Sequence, residues 1–463
     1  MERFELSDLK DGAHIHFIGI GGISMSGLAV ILLQKGYRVS GSDRHKSHIT
    51  DKLEKLGAVI YEGHKAENVK GAELVVYTAA VHNDNPEMVA AKDNNIRCID
   101  RAECLGAIMK LYKKAVGISG THGKTTTTAM LTHALLYAKK DPTVSIGGEL
   151  DAIDGNIRAG KSDYFITEAC EYTNSFLKFF PYIAVVTNVE EDHLDFFENL
   201  DEICDSFRKF ALLTENGGFV VANGDDENVR YALRGDRLNV IYYGKNGNTD
   251  YWYDNLKIMC GYPEFDVIRK GEKLCRIKLN VPGEHNVLNS LAVCAVCDLL
   301  GIEPEVYAEG IESFHGIHRR FEKLGELNGA AVIADYAHHP TEIEATIKAA
   351  GDFEHNKIWC VFQPHTYTRT KTLWQSFLKC FKGVDKLIMT HIYAARENFD
   401  GYTKASVLAE QINNSGIDTE YIENFDDICN ALKNEVQPGD IVFIMGAGDI
   451  IEVGYRLVGK EYK

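Results

Sequence analysis

Residues 120–128 read Gly-Thr-His-Gly-Lys-Thr-Thr-Thr-Thr, after the apolar run Ala115-Val-Gly-Ile-Ser119 and before Ala129-Met-Leu-Thr-His-Ala-Leu-Leu136. A strand, a glycine loop and a helix in that order can cradle a polyphosphate. Backbone N–H groups of Gly120, Thr121, His122 and Gly123 turn onto phosphate oxygens, Lys124 reaches the β and γ groups, and the hydroxyls of Thr125 and Thr126 open the helix, with Thr125 placed for Mg²⁺. The position five before Gly123 is Ile118, so the eight-residue phosphate-loop pattern is not met literally. A glycine turn that merely caps a helix needs one hydroxyl, not Gly-Lys-Thr together. The chain is expected to bind ATP with Mg²⁺.

Further candidates end other strand-like runs. Tyr164-Phe-Ile-Thr-Glu168 leads to Glu171, and Ile183-Ala-Val-Val-Thr-Asn188 leads to Asp192-His193-Leu-Asp195. Open parallel sheets bind ligands outside the carboxyl ends of their strands, so Lys124, Glu168 and His193 are expected around one crevice. Near the start, Gly19-Ile-Gly21-Gly22-Ile-Ser24 approximates a dinucleotide fingerprint, with Ser24 at its third glycine and Asp43 about 20 residues on. Read alone, that unit suits a nicotinamide-dependent dehydrogenase with Asp43 on a ribose, a reading that leaves the phosphate loop and Glu168 without a task.

These residues need a scaffold of matching size. At 463 residues, the chain suits about three domains. The expected architecture is α/β: a Rossmann-like domain over 1–112, a central phosphate-loop ATPase over 113–314, and a second Rossmann-like domain over 315–463. Strands are expected at 14–21, 37–43, 74–78 and near Ile99 in the first, and at 330–335, 358–362, 386–390 and 441–445 in the last. In the central domain a parallel sheet should be joined by a small antiparallel patch between about 218 and 282. The formal charge of −17 excludes a nucleic-acid partner, which would demand a basic stripe. Eleven scattered cysteines fit reduced thiols; Cys294 and Cys297 form the one Cys-x-x-Cys and lack a second pair for zinc. With no leader-like start and no apolar run long enough to span a bilayer, the chain is expected in the cytoplasm, away from membranes, as a monomer or weak dimer.

The phosphate loop, Glu168-x-x-Glu171, Thr187-Asn188 with Asp192-His-Leu-Asp195, Gly283-Glu-His-Asn-Val-Leu-Asn289 and Asp335-Tyr-Ala-His-His-Pro-Thr-Glu342 occur in that order. Together they resemble the Mur ligase family of peptidoglycan synthesis, over essentially the whole chain. Gly19-Ile-Gly-Gly22, Gly41-Ser-Asp43, His318-Arg-Arg-Phe321 and Gln363-Pro-His-Thr-Tyr-Thr-Arg-Thr370 look most like the branch that joins L-alanine to UDP-N-acetylmuramate. The resemblance implies ATP-dependent amide formation through an acyl phosphate. It places the UDP-sugar on Gly21, Gly22, Ser24, Asp43, His64 and Thr78, with Arg320 as a clamp. It gives Lys124 the transferring phosphate, Thr125 and Glu168 the nucleotide-side Mg²⁺, and His193 a second Mg²⁺. Asn289, one turn from His285, would read adenine, and Asp335 would reach ribose or phosphate. Tyr336 and His338 would border the amino-acid pocket, with Arg369, His365 and Thr366 on the alanine carboxylate.

Two departures accompany the match. Thr366 stands where many alanine ligases carry arginine, and Ser206-Phe-Arg208 stands where related ligases carry a carbamylated lysine, so no carbamate is expected. The neighbouring branches are a recycling ligase that takes a preformed tripeptide and the folylpolyglutamate ligases, which lack the UDP-sugar domain.

Overall fold

The computed structural model describes residues 4–214, 217–235 and 237–461. Within them the chain forms two compact units, one of Met1–Val189, Ile203–Tyr243 and Ala292–Gly310, the other of Glu190–Glu202, Gly244–Leu291 and Ile311–Lys463.

The first unit opens with β1 (His14–Ile18), β2 (Arg38–Asp43), β3 (Val59–Glu62), β4 (Leu74–Tyr77) and β5 (Arg97–Asp100), which pair in the order β3-β2-β1-β4-β5. All four pairings are parallel. The order reverses between β1 and β4, the kind of switch point at which open sheets form a crevice. β4 is buried almost throughout, hence its unbroken apolar run, and β1 buries His16 along with Ile15, Phe17 and Ile18, whereas β3 is half exposed at the sheet edge and escapes hydrophobic patterning. Helix starts carry their signals: Asn85 caps Pro86–Asp93 with proline at the first position, and Asp100 and Glu103 form a capping box on Arg101–Met109.

The same unit contains β6 (Lys114–Ser119), β7 (Thr143–Leu150), β8 (Gly155–Arg158), β9 (Tyr164–Glu168), β10 (Ile183–Val186), β11 (Phe219–Asn223) and β12 (Val240–Gly244), in the order β12-β11-β10-β6-β9-β7-β8. Every neighbour pair is parallel except β7–β8. This narrows the expected antiparallel patch: 219–223 and 240–244 are parallel strands, joined through the short helix Glu227–Ala232, and the antiparallel pairing of that stretch is confined to 251–278. A crossover helix of under two turns leaves no readable period.

Helix Ile23–Gln34 packs through Gly27, where an added Cβ would lie 1.8 Å from Ile157 Cδ1 on β8. Gly27→Ala is therefore expected to destabilise the protein by about 1–3 kcal/mol through overpacking. A thermal midpoint equal to that of the parent would contradict this packing.

In the second unit β13 (Tyr251–Met259), β14 (Tyr262–Arg269) and β15 (Glu272–Lys278) form antiparallel hairpins. Then β16 (Glu322–Leu327), β17 (Ala330–Asp335), β18 (Ile358–Phe362), β19 (Lys386–Met389), β20 (Thr419–Tyr421) and β21 (Ile441–Met445) pair as β16-β17-β21-β18-β19-β20, parallel except for β16–β17. Alternate residues of the central strands serve two cores. Ile333, Cys360, Phe362 and Phe443 face one, and Val332, Trp359, Val361 and Val442 the other. Both faces are covered, which is why β17, β18 and β21 read as continuous apolar runs. No described helix is long and apolar enough to cross a membrane, and the described cysteines, Cys294 and Cys297 included, are free thiols.

Candidate active site

The phosphate loop follows β6 and enters helix Lys124–Tyr137 through Gly123 at φ +83°. Gly120 sits at φ +142°, and a Cβ there would lie 1.9 Å from Thr187 Oγ1. Both glycines are thus required by backbone conformation, and Gly120 also by space. The end of β10 clamps the loop from below. Thr187 Oγ1 donates to His122 O at 2.6 Å, Asn188 Nδ2 donates to the same carbonyl at 3.0 Å, and Asn188 Oδ1 accepts from His122 N at 2.7 Å. Thr121 N donates to Asn188 O at 3.1 Å. The sequence marked Thr187-Asn188 only as part of a motif; its task is to fix the loop.

Lys124 Nζ donates to the carbonyls of Gly120 and Thr121 and meets both carboxylate oxygens of Glu171 at 3.0 and 3.1 Å. Burial alone would lower the lysine pKa, but Glu171, with Glu168 nearby, holds it above its ordinary value. Glu168 ends β9 and accepts from Gly147 N at 2.6 Å. A Cβ on Gly147 would come within 2.9 Å of that carboxylate. The sequence did not announce this contact, because nothing in Ile146-Gly-Gly148 points to a carboxylate 21 residues from Gly147.

The first sheet assembles most of the candidate sugar-nucleotide residues at its carboxyl end. Asp43 Oδ2 accepts from Gly21 N at 2.8 Å and Oδ1 from Arg44 N at 2.8 Å, so Asp43 shapes the glycine loop. Gly19 lies against Thr78, where a Cβ would approach Thr78 Cγ2 to 2.8 Å. Gly22 is the N-cap of helix Ile23–Gln34, with Ser24 in its first turn. His64 follows β3 and bonds Ser42 and Glu87 through Nδ1.

In the second unit Arg369 has a partner that the sequence did not reveal. Its Nε and Nη2 donate to Asp192 Oδ1 at 3.1 and 2.9 Å, and its Nη1 lies 3.0 Å from His365 Nδ1. Burial would raise the Asp192 pKa, but the Arg369 guanidinium holds it well below the usual carboxylate range. His193, at φ +54°, places Nε2 3.8 Å from Asp192 Oδ2. His365 receives the guanidinium N–H at Nδ1 and is therefore the neutral Nε2–H tautomer; burial and Arg369 lower its pKa to about 4. Thr366 caps helix Tyr367–Thr372 at φ +63°, an unusual conformation for a β-branched residue. Its hydroxyl accepts from Arg369 N at 3.4 Å, and the arginine expected there by resemblance could not make that cap.

Asp335 ends β17 with Oδ2 on Phe321 N at 2.9 Å and Oδ1 on Ala337 N at 2.7 Å, so its carboxylate is built into the turn; burial raises its pKa to about 6. Two guanidinium groups lie near the Tyr336 ring, Arg319 at 4.8 Å and Arg320 at 5.1 Å from its centroid. Arg320 Nη1 reaches Glu342 at 3.3 Å, and His338 Nδ1 lies 2.9 Å from Tyr336 O. Asn289 donates to Asn286 Oδ1 at 3.1 Å. His285, one turn back, lines a cavity of about 340 Å³ with Lys245, Glu284 and Lys348.

Burial lowers His285 to about 4, His338 to about 3 and His365 to about 4. Each is neutral when folded and takes up a proton on unfolding below its ordinary value of about 6.5, so stability should fall as pH drops from about 6.5 toward 4. Asp335, raised to about 6, works in the opposite sense between about 4 and 6, one group against three. Denaturant midpoints should be lower at pH 5 than at pH 7; an equal or higher midpoint at pH 5 would contradict these assignments.

A glycine phosphate loop between a parallel strand and a helix, an acid at the adjacent strand end and flanking Rossmann-like sheets define a nucleotide-binding α/β enzyme of three domains. Sequence models of three domains match in order: the catalytic domain of the Mur ligase family over 14–113, the Mur ligase middle domain over 118–297, and the Mur ligase glutamate ligase domain over 319–448. The chain belongs to the Mur ligase family. It is 52% identical over 450 residues to the UDP-N-acetylmuramate–L-alanine ligase of Clostridium botulinum, covering 96% of this chain and 98% of that one. The crystal structure of the UDP-N-acetylmuramate-alanine ligase of Thermotoga maritima superposes with a TM-score of 0.77 at 32% identity, over 96% of this chain and 98% of that one. A murein peptide ligase from Psychrobacter arcticus shares the fold, with a TM-score of 0.67 at 24% identity over 97% and 98% of the two chains.

Proposed function

We propose that this chain joins L-alanine to UDP-N-acetylmuramate at the expense of ATP, the first stem-peptide step of peptidoglycan synthesis. The observation that carries the reading is the phosphate loop with Lys124 set against Glu171 and Glu168, in a chain 52% identical to a named alanine ligase. The lactyl carboxylate attacks the γ-phosphorus, ADP departs, and an acyl phosphate forms. The alanine amine then adds to the acyl carbon, and phosphate leaves from the tetrahedral intermediate.

Lys124 and the loop amides hold the phosphates and offset charge on the transferring group, except that the N–H groups of Thr121 and His122, expected on phosphate, donate to Asn188 instead. Thr125 and Glu168 supply hydroxyl and carboxylate donors that suit a nucleotide-side Mg²⁺, His193 supplies an imidazole for a second, and the metal would supply charge neutralisation between the two anions. Gly21, Gly22, Ser24, Asp43, His64 and Thr78 take the sugar nucleotide, and Arg320 its anionic groups. Asn289 and Asp335 serve adenine and ribose. Tyr336, His338, His365 and Arg369 form the amino-acid end, with Arg369 steered by Asp192.

The mechanism makes an isotopic prediction. UDP-N-acetylmuramate labelled with ¹⁸O in its lactyl carboxylate should yield inorganic phosphate carrying one ¹⁸O per turnover. Unlabelled phosphate would exclude the acyl phosphate.

A further inference from the structure

Beneath the first sheet's carboxyl end lies a buried polar cluster. Glu87, in helix Pro86–Asp93, is fully buried. Its Oε1 accepts from Asn68 Nδ2 at 2.6 Å and lies 3.6 Å from His16 Nε2. Its Oε2 accepts from Ser42 Oγ at 2.6 Å and lies 3.0 Å from His64 Nδ1. Burial raises the Glu87 pKa, but the hydrogen bonds from Ser42 and Asn68 and the nearby His16 outweigh it, and the net shift is downward. A buried carboxylate is acceptor-only, so the nitrogen of His64 that faces it carries the proton. The opposite nitrogen of that ring, Nε2, makes no hydrogen bond among the described residues and is not a buried atom.

His64 stands beside the glycine loop. Gly63 N donates to Asp43 O at 2.7 Å, and Asp43 in turn holds Gly21 N. We propose that Glu87 is a positioning residue for sugar-nucleotide recognition: it locks His64 with the proton on Nδ1, so that Nε2 presents a hydrogen-bond acceptor to an N–H or O–H donor of the UDP-sugar. This rests on the proposed ligase reading. It adds that the cleft reads a donor group of the ligand at His64, where a protonated Nε2 would instead read phosphate.

Glutamine at position 87 reverses the lock. Asn68 Nδ2 also donates to Gly63 O at 3.2 Å, so its amide cannot turn to accept. The new amide N–H₂ must then point toward Ser42 and His64, which can reverse by rotating a hydroxyl and shifting a proton. Nε2 becomes a donor, and the ligand donor is left facing it.

The test uses the full chain. Glu87→Gln should raise the KM for UDP-N-acetylmuramate about tenfold, with kcat and the KM for ATP within about twofold of the parent. Combined with His64→Ala it should add nothing to the effect of His64→Ala alone. Equal loss toward both substrates, or additivity with His64→Ala, would reduce Glu87 to a structural role. In the unmutated protein labelled with ¹⁵N-histidine at pH 8, the resonances absent from His64→Gln should be pyrrole-type at Nδ1 and pyridine-type at Nε2. The reverse pattern overturns the proposal even if Glu87→Gln fails to fold. Failure of the unmutated protein to bind UDP-N-acetylmuramate would instead sink the ligase reading, and the spectrum would still report the lock.

Discussion

Replacing Lys124 by alanine is expected to lower turnover by about a thousandfold or more while leaving UDP-N-acetylmuramate affinity within about twofold of the parent. The sugar-nucleotide candidates Gly21, Asp43 and His64 stand at the end of the first sheet, whereas Lys124 opens the helix after β6. The substitution also strands Glu171, whose side chain is 3% exposed and pairs with Lys124 at 3.0 Å. Removing one partner of a buried pair costs about 3–5 kcal/mol. The double variant Lys124→Ala/Glu171→Gln should recover most of that stability and none of the turnover, which separates the two effects. Thermal midpoints, turnover and calorimetric binding of the sugar nucleotide check all three statements. Equal loss of turnover and sugar-nucleotide binding would contradict the division of labour between the two sheets.

The second large effect is expected at Arg369. Its guanidinium and the Asp192 carboxylate are 10% and 9% exposed and form a charge-assisted pair. Arg369→Ala leaves Asp192 without its cation, at a cost of about 3–5 kcal/mol. Lysine is a poor replacement, because its single nitrogen cannot span the positions from which the planar guanidinium reaches Asp192 through Nε and Nη2 and His365 through Nη1. Since the folded Asp192 pKa is depressed, its contribution is fully present above the unfolded value of about 3.9 and is lost as pH falls below it. In Arg369→Ala burial raises the Asp192 pKa above its ordinary value, so the folded variant takes up a proton there first, and its excess instability should be largest at neutral pH and shrink as pH falls through that raised value. Arg369→Ala/Asp192→Asn should restore stability, yet keep a KM for L-alanine about a hundredfold above the parent if Arg369 also meets the amino-acid carboxylate. A double variant with normal alanine KM would assign Arg369 to structure alone.

What the sequence revealed follows from which interactions are local. The phosphate loop was legible because its strand, glycines, lysine and helix are contiguous, and β17, β18 and β21 because burial on both faces leaves continuous apolar runs. Edge strands such as β3, with Val59 54% exposed, leave no such trace. The Asp192–Arg369 pair, 177 residues apart, and the Gly147–Glu168 contact could not be read from spacing. Nor could Glu87, whose sequence neighbours Asn85-Pro86 look like an ordinary helix start. Thr187-Asn188 was visible as a motif but not as a clamp, since its partner His122 lies on another strand's loop.

The most direct test of the central claim is phosphate release by the purified protein with Mg²⁺-ATP and UDP-N-acetylmuramate, given L-alanine or, in parallel, the L-alanyl-γ-D-glutamyl-diamino acid tripeptide. Release that requires L-alanine, with one phosphate per amide formed, is the predicted result. Release with the tripeptide alone would move the chain to the recycling branch, and silence with both would contradict the ligase assignment.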